Sequence, residues 1–218
     1  MKGVPKKLRE IADQYLISQG INQQVEPISI IADDFFSKVI ATKKREKTKA
    51  AEVEHAIRHF IDINIDEDPE LFASFAQALE EILQNFKGNW KKIYEELEKL
   101  REKIKNREKE ETYGLDRKKQ MPFFRIFKAE IFDNRDLTEE EISQNVNLTQ
   151  HVFNLVAIEI KLTGFWESIP AQSRLKEELQ KLLLSPDFSR LPNIITKRNE
   201  VISRIMELAK TNHFTIVS

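Results

Sequence analysis

Residues 52–71 read EVEHAIRHFIDINIDEDPEL, and this stretch decides the fold class. Val53, Ala56, Ile57, Phe60, Ile61 and Ile65 recur at steps of three and four, which places them on one face of an α-helix. Glu52, Arg58, Asp62 and Asn64 fall largely off that face. The run Asp66-Glu67-Asp68-Pro69 then stops this helix and starts the next. Asp68 suits an N-cap, because its carboxylate can accept a backbone N–H of the first turn. Pro69 suits the first helical position, where the N–H it lacks would have had no partner. The stretch reads as one arm and the corner of a helical hairpin.

The same period extends outward in both directions. Downstream, Leu71, Phe72, Phe75, Leu79, Ile82, Leu83 and Phe86 make a broad apolar stripe over 69–86, a pattern typical of core packing. Gly88-Asn89 breaks the chain. A charged helix over about 89–111 follows, with its seam at Trp90, Ile93, Tyr94, Leu97, Leu100 and Ile104. Beyond Ile104 the seam stops, so residues 105–111 are expected to project or fray. Residues 112–122 read as a loop, and Phe123 to Phe132 as a short, very apolar helix. Thr138 with Glu139, Glu140 and Glu141 supplies a cap and acids at the positive helix end. That helix is expected to run to Gly164, with a possible break at Asn145–Asn147. Leu175, Leu179, Leu182 and Leu183 line a helix that starts near Pro170. Pro192 opens the last one, with Ile194, Ile195, Val201, Ile202, Ile205, Met206 and Leu208 on its core side. Upstream, Leu8, Ile11, Ala12, Tyr15 and Leu16 predict a helix over 5–19, and Asp33 caps a short one carrying Phe35, Phe36, Val39 and Ile40.

Composition agrees. The 218 residues are 40% hydrophobic and 33% charged, with only five glycines. Scarce glycine and scarce β-branched alternation favour an all-α fold of amphipathic helices and helical hairpins, without substantial sheet. Two subregions are expected, 1–111 and 112–218, packed together as one domain. The net charge is -1, so any nucleic-acid contact must come from a local patch. Cysteine is absent. That excludes disulfides and thiolate metal sites and fits a cytoplasmic location. The charged, periodic N-terminus predicts no secretory leader, and no apolar run is long enough to span a bilayer.

Motifs for known chemistry are missing. There is no phosphate-binding G-x-x-x-x-G-K-[ST] loop and no G-x-S-x-G nucleophile elbow. His55 and His59 stand one helical turn apart near Glu52 and Glu54, which makes a divalent metal conceivable. The zinc-protease signature needs Glu directly after the first His, however, and Ala56 is there. Two basic clusters, Lys43, Lys44, Arg45 and Lys47, then Arg117, Lys118 and Lys119, read either as solvated surface or as phosphate contacts. Trp166, at the corner after Gly164, reads as core or as a partner anchor. Glu54, His55, Arg58 and His59 form a polar cluster of both signs, suited to recognising another protein.

Several stretches together resemble the helical C-terminal region of the R subunits of type I restriction enzymes. They are EHAIRHFI at 54–61 and DEDPELF at 66–72, then ILQNFKGNWKKI at 82–93. Tyr113-Gly114-Leu115-Asp116 and Pro122-Phe123-Phe124 resemble a G-L-D…P-F segment. Residues 158–183, IEIKLTGFWESIPAQSRLKEELQKLL, resemble an F-W…A-Q-x-x-L pattern. MELAKTNH at 206–213 resembles the usual ending, and GINQQVEPISII at 20–31 the entry. The likeness runs in the same order from about 20 to 213. It implies a non-catalytic assembly domain, without cofactors of its own. Such a domain belongs to a subunit that uses ATP and magnesium to translocate and cut DNA. Its implied partners are the modification and specificity subunits and the remaining domains of the R subunit. Glu54, His55, Arg58, His59 and Trp166 are the candidate partner-binding residues. The alternatives are an accessory DNA-contacting domain using the two basic clusters, and a metal-dependent hydrolase using His55 and His59.

Overall fold

Helix α1 (Glu46–Asn64) buries Ala50, Val53, Ile57, Phe60 and Ile61, the face set by the apolar period. A computed structural model describes Ile30, Ile31 and residues 45–218 of the chain. The expected helices over 5–19 and after Asp33, and Lys43 and Lys44, lie outside the described residues. Asn64 Nδ2 donates back to the Phe60 carbonyl at 2.7 Å and helps close the end of α1. Five residues later Pro69 opens α2 (Pro69–Asn85), whose Leu71 N–H donates to Asp68 Oδ1 at 3.2 Å. The hairpin and its cap therefore form as the sequence predicts.

Asn89 caps α3 (Trp90–Lys105) by accepting the Lys92 N–H. Lys47 sits over the Trp90 ring and Arg107 over the Phe60 ring, 5.2 and 5.1 Å from the centroids. These two contacts lie at opposite ends of α1, so α1 and α3 run parallel, with α2 antiparallel to both. The helical run ends earlier than expected, at Lys105. Residues Asn106–Lys109 form a 3-10 turn that does not fray. The reason is non-local. Arg117 donates to the carbonyls of Arg107 and Glu110, at 3.1 and 2.5 Å, and pins the turn.

In α4 (Met121–Ile131), seven of the eleven residues are buried, so the helix has to be covered on most of its circumference. It packs on α2, on α5 (Glu139–Glu159) and on α7 (Ile194–Thr211). Thr138 and Glu141 make a reciprocal capping box at the start of α5. The possible break at Asn145–Asn147 does not occur. Asn145 turns inward, fully buried, and donates to the Phe124 carbonyl at 3.1 Å. Helix α6 (Ile169–Leu183) is capped by Ser168. Helix α7 starts two residues past Pro192, after Asn193 at φ +53°. Asn193 Nδ2 reaches the Ile131 carbonyl and ties that turn to α4. Ile195, expected on the core side, is 55% exposed because the helix begins in a register that turns it outward. The tail closes with one short helix, α8 (His213–Val217).

Among the described residues there are eight α-helices and no strand, an all-α fold. No described helix is long and apolar enough to cross a membrane. One hydrophobic cluster joins α1, α2 and α3 with Ile30, and a second joins α4 to α8. A small group, Leu115, Met121 and Phe124, lies between them in sequence.

Candidate functional site

The two clusters meet at a polar seam around the first turn of α2. Asp68 is 6% exposed and bonds Arg125 Nη1. Arg125 Nη2 donates to Glu110 Oε2 at 2.6 Å. Burial pushes the Asp68 carboxyl above its ordinary range, and Arg125 offsets this only in part. Arg204, on α7, bridges Glu70 on α2 and Glu130 on α4. Asn212 Nδ2 donates to the Asp66 carbonyl at 2.7 Å. Elements far apart in sequence thus grip one corner. A cleft of about 210 Å³ opens beside it, lined in part by Glu67, Phe72, Arg107, Arg117 and Arg125. Its three guanidinium groups are already engaged: Arg107 on Phe60 and the Ile104 carbonyl, Arg117 on two carbonyls, and Arg125 on two carboxylates.

The residues singled out from sequence fall into three places. Arg58 donates to Glu54 at 3.0 Å and to Glu80 at 2.6 Å, so it clasps α1 to α2. His55 and His59 lie exposed on α1. Among the described residues, no group of three or more His, Cys, Asp or Glu could hold a metal ion, so the pair has no third ligand there. Arg45 and Lys47 are exposed at the start of α1, beside the start of α3. Arg117, Lys118 and Lys119 follow the far end of α3, about 24 Å away along a 16-residue helix. The structure does not bring Arg45 and Lys47 together with the second cluster. Nor is Arg117 the solvated residue its neighbours suggested: it is half-buried and bound to backbone. The backbone N–H groups of Lys118 and Lys119 both donate to Asp116 Oδ1.

Trp166 is half-buried. Its Nε1–H donates to His213 Nδ1 at 3.2 Å, and its carbonyl accepts from Gln172 Nε2 at 2.9 Å. The Phe165 ring meets it edge-on, 4.9 Å between centroids. Trp166 thus serves both readings, with one edge on the core and one towards solvent.

No protein-family model, curated protein or solved structure matches the chain.

Two of the resembling stretches each touch a third. Asn212 of MELAKTNH bonds Asp66 of DEDPELF, while His213 bonds Trp166 of the F-W…A-Q stretch. Sequence reasoning missed the seam partners Arg125, Arg204 and Glu130. One signal was present. Arg125 is a lone cation inside MPFFRIF, and a charge in such a run needs a buried counter-charge.

A second titratable pair lies on α3. Tyr94 and Glu98 are one turn apart, and among the described residues neither Tyr94 Oη nor Glu98 Oε1 has a hydrogen-bond partner. Burial pushes Glu98 up to about 7, against the pull of Arg101. Burial, then the charge on Glu98, pushes Tyr94 up to about 12. A raised carboxyl holds its proton longer when folded. Stability from this group is therefore full below its ordinary 4.5 and is lost as pH rises through about 7. Glu98→Gln is expected to match the wild type at low pH. At pH 8 it should exceed it by about 1 kcal/mol, a figure already reduced for solvent screening. Urea unfolding on both sides of that interval checks this, and a constant difference across it would refute the cause.

Proposed function

We propose that this chain is a non-catalytic helical assembly domain of a type I restriction R subunit. In this reading it works in the cytoplasm and docks an ATP- and magnesium-dependent motor-nuclease onto its modification and specificity subunits. The observation that carries the reading is that the MELAKTNH stretch bonds both DEDPELF and the F-W…A-Q stretch. Here Asp66 and Trp166, from two stretches, pair with Asn212 and His213 of a third through side chains and backbone.

The candidate docking edge is the Trp166 corner. A half-buried indole fixed by His213 is preorganised, so little entropy is lost when a partner covers it. Phe214, beside His213, is 85% exposed and adds apolar area to the same corner. The polar face of Glu54, His55, Arg58 and His59 is a second contact candidate. The DNA-contacting reading would need its cations on one surface, and those described are split between two ends of α1–α3.

Capture by a cognate modification–specificity complex tests the proposal. The 218-residue chain is expected to be retained by that complex and to show neither ATP hydrolysis nor DNA cleavage above a blank. Retention should weaken in Phe214→Ala, whose folding is expected to be unchanged. Failure of the wild type to be retained, or a real ATPase rate, would sink the reading.

A further inference from the structure

A groove of about 490 Å³ runs between α5 and α8 and is closed on one side by Lys119. Two of its properties are unusual for a helix facing outward. The first is apolar exposure. Ile158, on α5 and in the groove, is 67% exposed, while Val156 and Ile160 fill the core behind it. A solvated outer face ordinarily carries charged side chains there. Phe153, Ala157 and Ile216 extend this apolar lining. The second is charge. Lys119 and Lys161 both line the groove, and no Asp or Glu side chain does. Among the described residues neither lysine forms an ion pair with a carboxylate. Glu159, their neighbour on α5, is turned away and held by Arg174 at 2.6 Å.

An apolar floor with unpaired cations at its rim is complementary to an apolar stripe flanked by acids. We infer that this groove receives an acidic amphipathic helical segment of the modification or specificity subunit. The assignment to those subunits rests on the assembly reading above; the chemistry of the groove does not. Helix-in-groove docking uses anchors at i, i+3, i+4 and i+7, and Phe153, Ala157 and Ile158 line the groove along one face of α5. Contact along α8 would also place the segment beside the Trp166–His213 pair, since His213 opens that helix.

Two measurements on the full chain separate the claims. The probe is a labelled synthetic helix of about 16 residues, long enough to take up helix on binding, with Leu on one face and Glu on its flanks. The comparator replaces each Glu by Lys. The wild type is expected to bind the acidic probe at least about tenfold more tightly than the basic one, and more weakly as salt rises. Ile158→Glu and the pair Lys119→Glu with Lys161→Glu should each weaken the acidic probe by about tenfold, the reversed pair then preferring the basic probe. Ile158 and Lys161 are exposed and Lys119 is half-buried, and circular dichroism melts confirm that the variants fold. Equal binding of the two probes, or unaffected binding by the folded variants, overturns the groove. Capture by the methyltransferase complex supplies the other arm. If the wild type is captured and the variants are captured equally well, the groove falls and the assembly reading stands. If the probe binds as expected while the complex does not capture the wild type, the assembly reading falls, and with it the named source of the segment.

Discussion

Arg125→Ala is expected to destabilise the fold by about 3–5 kcal/mol, because it leaves the buried Asp68 carboxylate without its counter-charge. Asp68 is almost inaccessible, and the Arg125 side chain is 11% exposed, so water cannot replace the lost partner cheaply. Asp68 also caps α2, which ties its orientation to the first turn of that helix. In thermal unfolding, the midpoint should fall by about 10 °C for a chain of this size. Asp68→Ala should also destabilise, by loss of the cap and the pair together. The double variant should lose less than the sum of the two single ones, since the second change removes a charge the first had stranded. Strict additivity would show that the pair is not coupled. The location predicts a second signature. Arg125 joins α4 to the α1–α3 cluster, so the variant should unfold in two steps while the wild type unfolds in one.

Phe127→Ala is the second large effect, about 3–5 kcal/mol, from apolar transfer plus the cavity left in a packed centre. Phe127 is fully buried within the α4–α8 cluster, on the helix that α2, α5 and α7 surround. Those helices cannot collapse onto the void without breaking the Arg204 and Asn193 links that set their spacing. Phe214→Ala is the matched control, the same chemical change at an exposed position, expected to alter stability by no more than about 0.5 kcal/mol. Denaturant midpoints of the two variants, measured side by side, check the contrast. A cost under about 1 kcal/mol for Phe127→Ala would mean that the centre repacks.

Much of this architecture is legible from local pattern. The apolar period of α1, the Asp68-Pro69 corner, the Asn89 break and the Thr138–Glu141 box all depend on residues within one or two turns of each other. Their spacing therefore carries the information needed to place them. The candidate site was legible only in pieces. Trp166 was recognisable as a corner aromatic, but nothing near it in sequence indicates that His213 takes its N–H. The lysines at 118 and 119 looked like one basic block with Arg117, yet the structure separates their roles, because Arg117 reaches two carbonyls just past the end of α3. Ile195 fitted the helical period and read as core, yet it is exposed. Which side of a helix faces solvent depends on how many neighbours cover it, and period alone does not count neighbours.

The sequence by itself determined that the chain is helical, where most helices begin and end, and most of the apolar face each would bury. Local hydrogen bonding, capping and side-chain period act over a few residues, so they can be read in order. Only the tertiary structure decided that Arg125 meets Asp68 across 57 positions, and that Arg204 spans two helices. It also decided that an apolar groove with unpaired lysines stays open beside α8. Those pairings follow from which helix faces lie against each other. That choice is settled by burial of the whole set of apolar faces at once, and no local stretch of the chain encodes it.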